Sequence, residues 1–315
     1  MIAYTLRRLL ATVPVMAVVA IVVFSLLYLA PGDPAVVLAG EQATSEEIAY
    51  IRESLRLDDP YPVRLARWTG DILTGDLGTS VFSNRPVTSL IGQRLEPTVA
   101  LTLASLLIAI ALAVPLGVLA AWQAGQRLDH IVMGLAVLGF SVPVFVLGYI
   151  LIMLFSVGLD WLPVQGYRPL ARGIGPFVTH LILPALSLGL INAALIARIT
   201  RATMIDVLNQ DYIRTARAKG LSTSAVLLRH ALRNAAVPIV TIIGISFTLL
   251  ISGVVVTETV FNIPGLGRLT VDAILRRDYP VIQGLILVFS GVYVLVNLLV
   301  DLSYAWLDPR VRPGS

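Results

Sequence analysis

The sequence predicts an all-α membrane protein with six transmembrane helices, and three observations carry that prediction. Hydrophobic residues make up 57% of the 315-residue chain. Charged residues make up 13%, about half of the roughly 25% usual in a soluble globular protein. Six apolar segments, at about 9–30, 99–121, 131–157, 177–197, 237–257 and 281–300, reach or approach the roughly 20 residues that cross the hydrocarbon core of a bilayer.

The first segment follows Arg7 and Arg8 and runs from Leu9 to Ala30. Its 22 residues exceed the core of a signal peptide, which has roughly 7–15, so a retained span is expected. The third is long enough to cross as a tilted helix. The fourth is interrupted by His180, Pro184 and Asn192. Pro14, Pro115, Pro143, Pro184 and Pro238 lie in or at the ends of these segments. Neighbouring helices in a bundle can satisfy the carbonyls that a proline leaves unbonded.

Arginine and lysine set the orientation. With the N-terminus inside, twelve basic residues fall in cytoplasmic segments and five in the two short outer loops, the asymmetry of the positive-inside rule. The outer loop 31–97 is too long for that rule, and its ten acids and six arginines leave it at −4. Both termini are therefore expected in the cytoplasm, the second as a short tail at 307–315.

The long outer loop carries structure of its own. Thr44-Ser-Glu-Glu47 reads as a capping box, followed by Ile48, Ile51 and Leu55 on one helical face. Asp58-Asp59-Pro60 ends that helix, and Leu65, Trp68 and Ile72 mark a second before the turn Gly75-Asp-Leu-Gly78. Two short amphipathic helices on the outer mouth of the bundle are expected. The later outer loop, Phe261-Asn-Ile-Pro-Gly-Leu-Gly-Arg268, has the composition of a tight turn. It leads to a short helix ending near Asp278-Tyr-Pro280.

Most chemistry is excluded. The absence of cysteine removes disulfides and thiolate sites. His130, His180 and His230 are far apart and show no metal-ligand spacing. There is no phosphate-binding glycine loop, no zinc-protease motif and no serine-hydrolase elbow. The deep parts of the six segments hold no Asp, Glu, Lys or Arg, which disfavours proton coupling or catalysis inside the membrane. Asn192 and Asn297 are candidates for hydrogen bonds between helices. Any free energy for uphill transport must then come from another subunit.

The surface to receive it is the polar stretch 198–235, with seven basic and two acidic residues. Helix formers run to Lys219, the only lysine. Gly220 suits a helix C-terminal turn, and Ser222, Thr223 or Ser224 can cap a second helix. In that second helix Leu228, Ala231, Leu232 and Ala235 share one face, with Arg229 and Arg233 on another. The spacing Ala216, Gly220, Val226 matches a DNA-binding helix-turn-helix, but tethering to the bilayer at both ends denies it a major groove. A solvated basic loop touching anionic lipid is the plainer alternative.

The segment Tyr212-Ile-Arg-Thr-Ala-Arg-Ala-Lys-Gly-Leu-Ser222, with Leu228-Arg-His-Ala-Leu-Arg-Asn234, resembles the EAA loop of ABC importer permeases in its peptide-type form. Further resemblance lies in Pro31-Gly-Asp-Pro34, Gly75-Asp-Leu-Gly-Thr-Ser80, Pro86-Val87, Leu90-Ile91, Arg94-Leu95, Glu258-Thr-Val-Phe-Asn-Ile-Pro-Gly-Leu-Gly-Arg268 and Asp278-Tyr-Pro280. Where the broad family has Glu-Ala-Ala, this chain has Arg214-Thr-Ala216, so Arg214 needs a new partner.

The resemblance implies a type I ABC importer permease fold of the "B" kind. An N-terminal helix (1–30) and a helical outer loop (31–97) precede a five-helix core (98–306) that holds the coupling loop. Tyr212, Arg214, Thr215, Ala216, Ala218, Lys219, Gly220, Leu221 and Arg229 would meet a cytosolic ATPase, with Ala216, Ala218 and Gly220 allowing close packing. Asn262, Pro264, Gly265, Gly267 and Arg268 would form an outer gate or meet a solute-binding protein.

It further implies a second homologous permease, two ATPase subunits holding ATP and Mg, and a bacterial inner-membrane location. No cofactor or metal is expected on this chain, and no nucleic-acid partner. Di- or oligopeptides are the expected cargo, with a nickel or metal chelate or another solute open within the same class. An ATPase-independent channel or facilitator and a non-transporting scaffold also stay open.

Overall fold

The computed structural model describes residues 2–29, 33, 35–36, 43–54 and 57–307. Pro31, Gly32 and Pro34 of the motif after the first span, Leu55 of the first loop helix, and Arg310 and Arg312 of the tail lie outside the described residues. Among those described the chain is helical, with one isolated bridge between Thr79 and Pro86. In chain order the helices are α1 (Ile2–Leu29), α2 (Ser45–Ser54), α3 (Tyr61–Leu73), α4 (Val87–Trp122), α5 (Arg127–Ser141) and α6 (Val144–Leu151). They continue as α7 (Ile174–Leu208), α8 (Asp211–Ala218), α9 (Leu232–Val260), α10 (Leu266–Arg276) and α11 (Tyr279–Leu307). Two π-helical turns extend this set, Ile152–Gly158 after α6 and Ala225–Ala231 before α9.

Among the described residues, five helical stretches are long and apolar enough to cross a membrane: Arg8–Leu26, Val87–Trp122, Ile174–Leu208, Ala225–Val260 and Tyr279–Tyr304. The third expected span, 131–157, is not one tilted helix. It is two, α5 and α6, bent by 105° at a short break. The cause is Pro143, which forces Val142 into an extended conformation (φ −90°, ψ 124°) and starts α6 as its N-cap. Pro14, Pro115, Pro184 and Pro238 lie inside continuous helices. A bundle tolerates them there because other groups re-satisfy the freed carbonyls.

The chain divides into two compact units. The first comprises residues 97–267 and the chain from Val296 onward. Its core has three clusters, all built on α4, α7 and α9. One gathers Leu101, Leu183, Leu188, Leu250 and Val254 with Leu151 and Ile152. A second is lined by small residues, Ala109, Ala113, Ala193 and Ala197, against Ile196 and Ile242. Small side chains let helix backbones approach closely where no hydrophobic force drives helix against helix in lipid. The third carries α8 and is described below. Asn192 is buried, but its amide donates to the Leu188 carbonyl of its own helix (2.9 Å), not to a neighbour.

The second unit comprises residues 2–96 and 268–295. Its capping box forms as expected. The Thr44 amide donates to Glu47 Oε2 (2.8 Å) and the Glu47 amide to Thr44 Oγ1 (3.3 Å). Those bonds hold the Glu47 carboxyl below its ordinary pKa. α3 packs on α1 through Phe24, whose ring meets Tyr61 and Trp68 at centroid distances of 5.4 and 5.2 Å. Arg64, buried here, lies over the same ring at 5.9 Å, a cation–π contact. The buried Asp278 accepts from Ser80 Oγ (2.5 Å), tying the 79–86 turn to the start of α11.

Candidate functional site

The loop 198–235 is more regular than its composition suggested, and it differs from the expected pair of helices between two spans. α7 runs on through the basic residues to Leu208, since nothing from Arg198 to Leu208 is Gly or Pro. The second expected helix is the start of the next span. Ser222 accepts a capping bond from the Ala225 amide (3.4 Å), and the helix continues to Val260. Only α8 stands between the two spans.

α8 begins with Asp211, an acid in the first turn that complements the helix dipole. It ends in a Schellman turn. The Gly220 amide donates to Arg217 O (2.9 Å) and the Leu221 amide to Ala216 O (3.3 Å), the 5→2 and 6→1 pair of that motif. Gly220 has φ +81°, and a Cβ there would meet nothing within 4 Å. Backbone conformation, not space, requires glycine at this position.

One face of α8 is buried. Ile213 and Ala216 join Val118 and Ala121 of α4, Met204 of α7, and Val226, Leu227, Ala231, Ala235 and Ile239. Leu221 packs on the same cluster. The other face is open: Tyr212, Arg214, Thr215, Arg217, Ala218 and Lys219 are exposed, as is Arg229 beyond the turn. Partial burial raises the pKa of the Tyr212 hydroxyl. Beside this face a cleft of about 220 Å³ is lined by Trp122, Arg217, Leu221, Thr223, Val226 and Leu227.

Two expectations need correction, and a third, a new partner for Arg214, is met. Of the three small residues expected to pack against an ATPase, Ala218 and Gly220 are exposed, but Ala216 is buried in this chain's own core. Leu228 is 62% exposed, while Val226 and Leu227 are buried. The π-helical turn there shifts the register on which the expected face was drawn. Arg214 has a partner, Asp211 Oδ1 at 3.4 Å, but both side chains are largely exposed. Such a pair is worth about 1 kcal/mol at most.

The Phe261–Arg268 loop is held by the residue that opens the resembling segment 258–268. Glu258 has no solvent exposure and accepts from Thr98 Oγ1 (2.5 Å). Thr98 Oγ1 in turn accepts from the Leu266 amide (2.7 Å). A Cβ on Gly265 would stand 2.0 Å from Glu258 Oε1, and one on Gly267 3.0 Å from Oε2. Asn262 takes φ +52° to turn the chain, and Ile263 is fully buried. Pro264 lies within this turn, and Arg268 stands in the first turn of α10. Gly265→Ala should displace the Glu258 carboxylate from Thr98. The expected result is at least a tenfold loss of folded protein after detergent extraction, with partial recovery in Gly265→Ala/Glu258→Ala. Normal recovery of Gly265→Ala would contradict it.

A second pair also escaped the sequence reading. Asp129, at the start of α5, is nearly fully buried and takes both Nε and Nη2 of Arg201 on α7. No motif marks two residues 72 positions apart.

Two family models match this chain. Residues 113–313 match the binding-protein-dependent transport system inner membrane component, and residues 1–102 match the N-terminal part of such membrane components. A probable peptide ABC transporter permease of Sinorhizobium fredii is 54% identical over 309 residues, covering 98% of this chain and 99% of that protein. The glutathione transport system permease GsiC of Salmonella paratyphi A is 45% identical, covering 99% of each. Its counterpart in Escherichia coli O6:H1 is 44% identical with the same coverage. Among solved structures, an inward-facing form of the MetNI methionine ABC transporter superposes with a TM-score of 0.59 at 18% identity. It covers 70% of this chain and 96% of that one, a likeness in fold.

Proposed function

Because this chain belongs to the family of binding-protein-dependent transport system inner membrane components, we propose that it is a permease subunit of an ATP-driven importer whose cargo is a short peptide. It is a multi-pass protein of the inner membrane, and the loop that carries α8 faces the cytoplasm. Permeases of this family work with ATPase subunits and a binding protein. In this reading α8 is the element on which a cytosolic ATPase bears. A second permease completes the path, and ATP and Mg stay on the ATPases.

The carrying observation is the construction of α8. It is a single short helix with one face fixed in a core of α4, α7 and α9 residues and the other face presented outward. A load on the open face is passed to three spanning helices instead of being absorbed by a flexible loop. The exposed arginines add steering toward an acidic groove, and each rim pair contributes at most about 1 kcal/mol. The peptide assignment is supported by relatives named for peptide and for glutathione transport, both matched over nearly their whole length. The loops 31–97 and 259–280 are the proposed contacts for the binding protein.

The test is reconstitution in vesicles with a partner permease, ATPases and a binding protein of the same transport system. ATP-dependent uptake of glutathione or tri-alanine that requires the binding protein is expected. Equal uptake by this chain alone, without ATPase, would contradict the proposal.

A further inference from the structure

We infer that Asp129 and Arg201 are positioning residues for transport: they form the joint through which movement of α8 reaches the broken span α5–α6. The inference rests on the proposed function, because it concerns what happens after α8 is loaded. Arg201 lies seven residues before the end of α7, about 10 Å at 1.5 Å per residue, and α8 follows after two more. Its Nε and Nη2 both bond the Asp129 carboxylate, the second at 2.6 Å. The Gly125 amide donates to the same carboxylate at 2.9 Å, so the turn before α5 is fixed as well. The Asp129 side chain is 4% exposed and that of Arg201 27%.

The surrounding apolar core shows where such a joint acts. The cluster that seats α8 draws on α4, α7 and α9, and no α5 side chain belongs to it. α4 and α7 are already in backbone contact at this level, since a Cβ on Gly117 would stand 2.7 Å from Thr200 Cβ and 2.8 Å from Ala197 O. Those helices follow α8 by packing alone. α5 packs on α7 along its length, with Val132 and Ala136 buried, and at its cytoplasmic end it is fixed to α7 through Asp129 as well. A bidentate guanidinium–carboxylate pair fixes orientation as well as distance, so α5 turns with α7. Removing one partner leaves an uncompensated buried charge on the other, which would release the turn and let α5 lag.

The chain has no cysteine, so introduced cysteines are the only ones it carries, and the partner subunits are used with their own cysteines replaced. In the full complex with its partner subunits, Asn209→Cys at the end of α7 and Val137→Cys on the exposed side of α5 are spin-labelled. Their separation is measured without nucleotide and in the vanadate-trapped state. The native pair should keep one distance in both states. Asp129→Asn, which is isosteric and still accepts from Gly125, should give a nucleotide-dependent shift and broadening. It should also cut peptide uptake per ATP hydrolysed at least tenfold while the assembled complex retains ATPase activity. Arg201→Lys, charged but not bidentate, should fall between.

An unchanged distance and unchanged uptake per ATP in Asp129→Asn would overturn the inference. So would variants that lose uptake only in proportion to lost complex, since that is the mark of a purely structural pair. Absence of ATP-driven uptake in the native complex, with the distance behaviour intact, would instead count against the proposed function.

Discussion

Replacing Ala216 with glutamate should abolish transport and uncouple the chain from its ATPases. Ala216 is 8% exposed and shares its cluster with Ile213, Met204, Val226 and Leu227. A carboxylate there would be buried without a built partner. The cost is several kcal/mol even after relaxation, which is more than one short helix can hold against. The side chain would instead reach solvent by prising α8 off its seat. The spanning helices keep their own cores, since the other two clusters include no α8 residue. Ala216→Glu should therefore insert in the membrane at near-normal levels yet fail to co-purify the ATPases. Arg217→Ala is the control: the guanidinium is exposed, and its loss should change uptake less than about threefold. Normal ATPase recovery with Ala216→Glu, or loss with Arg217→Ala, would contradict this account of the seat.

Gly220→Val should have a comparable effect by a different route. No atom lies within 4 Å of a Cβ at this position, so crowding is not the cause. At φ +81° an L-residue pays about 1–2 kcal/mol, and a β-branched one more. The chain can relieve that only by giving up the Schellman turn, whose bonds return the backbone from α8 toward Ser222. Without it Leu221 leaves the cluster and the open face of α8 loses its fixed direction. Gly220→Asn, which tolerates a left-handed backbone, should retain much of the uptake that Gly220→Val loses. Equal loss in both variants would show that glycine is required here for some other reason.

Much of the fold was legible because hydropathy and helix signals are local. The span segments, the capping box at Thr44–Glu47 and the glycine stop after α8 each follow from neighbouring residues. What was not legible depended on tertiary context. Pro143 breaks its span while Pro115 and Pro184 do not, a difference decided by the surrounding helices. The loop 198–235 reads as polar, yet α7 and the start of the next span extend into it, because arginine and alanine are helix formers whatever their solvent. The buried face of that next helix was misassigned at Leu228, since a π-helical turn leaves no mark in the pattern. Asp129 and Arg201 were invisible as a pair, because 72 positions separate them and no local pattern joins them. Glu258 carried one hint, as a lone carboxylate at the edge of an uncharged span shortly before two glycines.

The central claim is that the open face of α8 is where ATPase and membrane subunit meet. Its most direct measurement is site-directed cross-linking in the cysteine-free chain, with single cysteines at Thr215 and Ala218 on α8 and at Gln126 in the turn before α5. All three positions are exposed. Co-expressed with the ATPases and treated with a short thiol-reactive cross-linker, Thr215→Cys and Ala218→Cys should give an ATPase adduct whose yield changes on adding ATP and vanadate. Gln126→Cys should give little. An adduct from Gln126→Cys with none from either α8 position would contradict the claim.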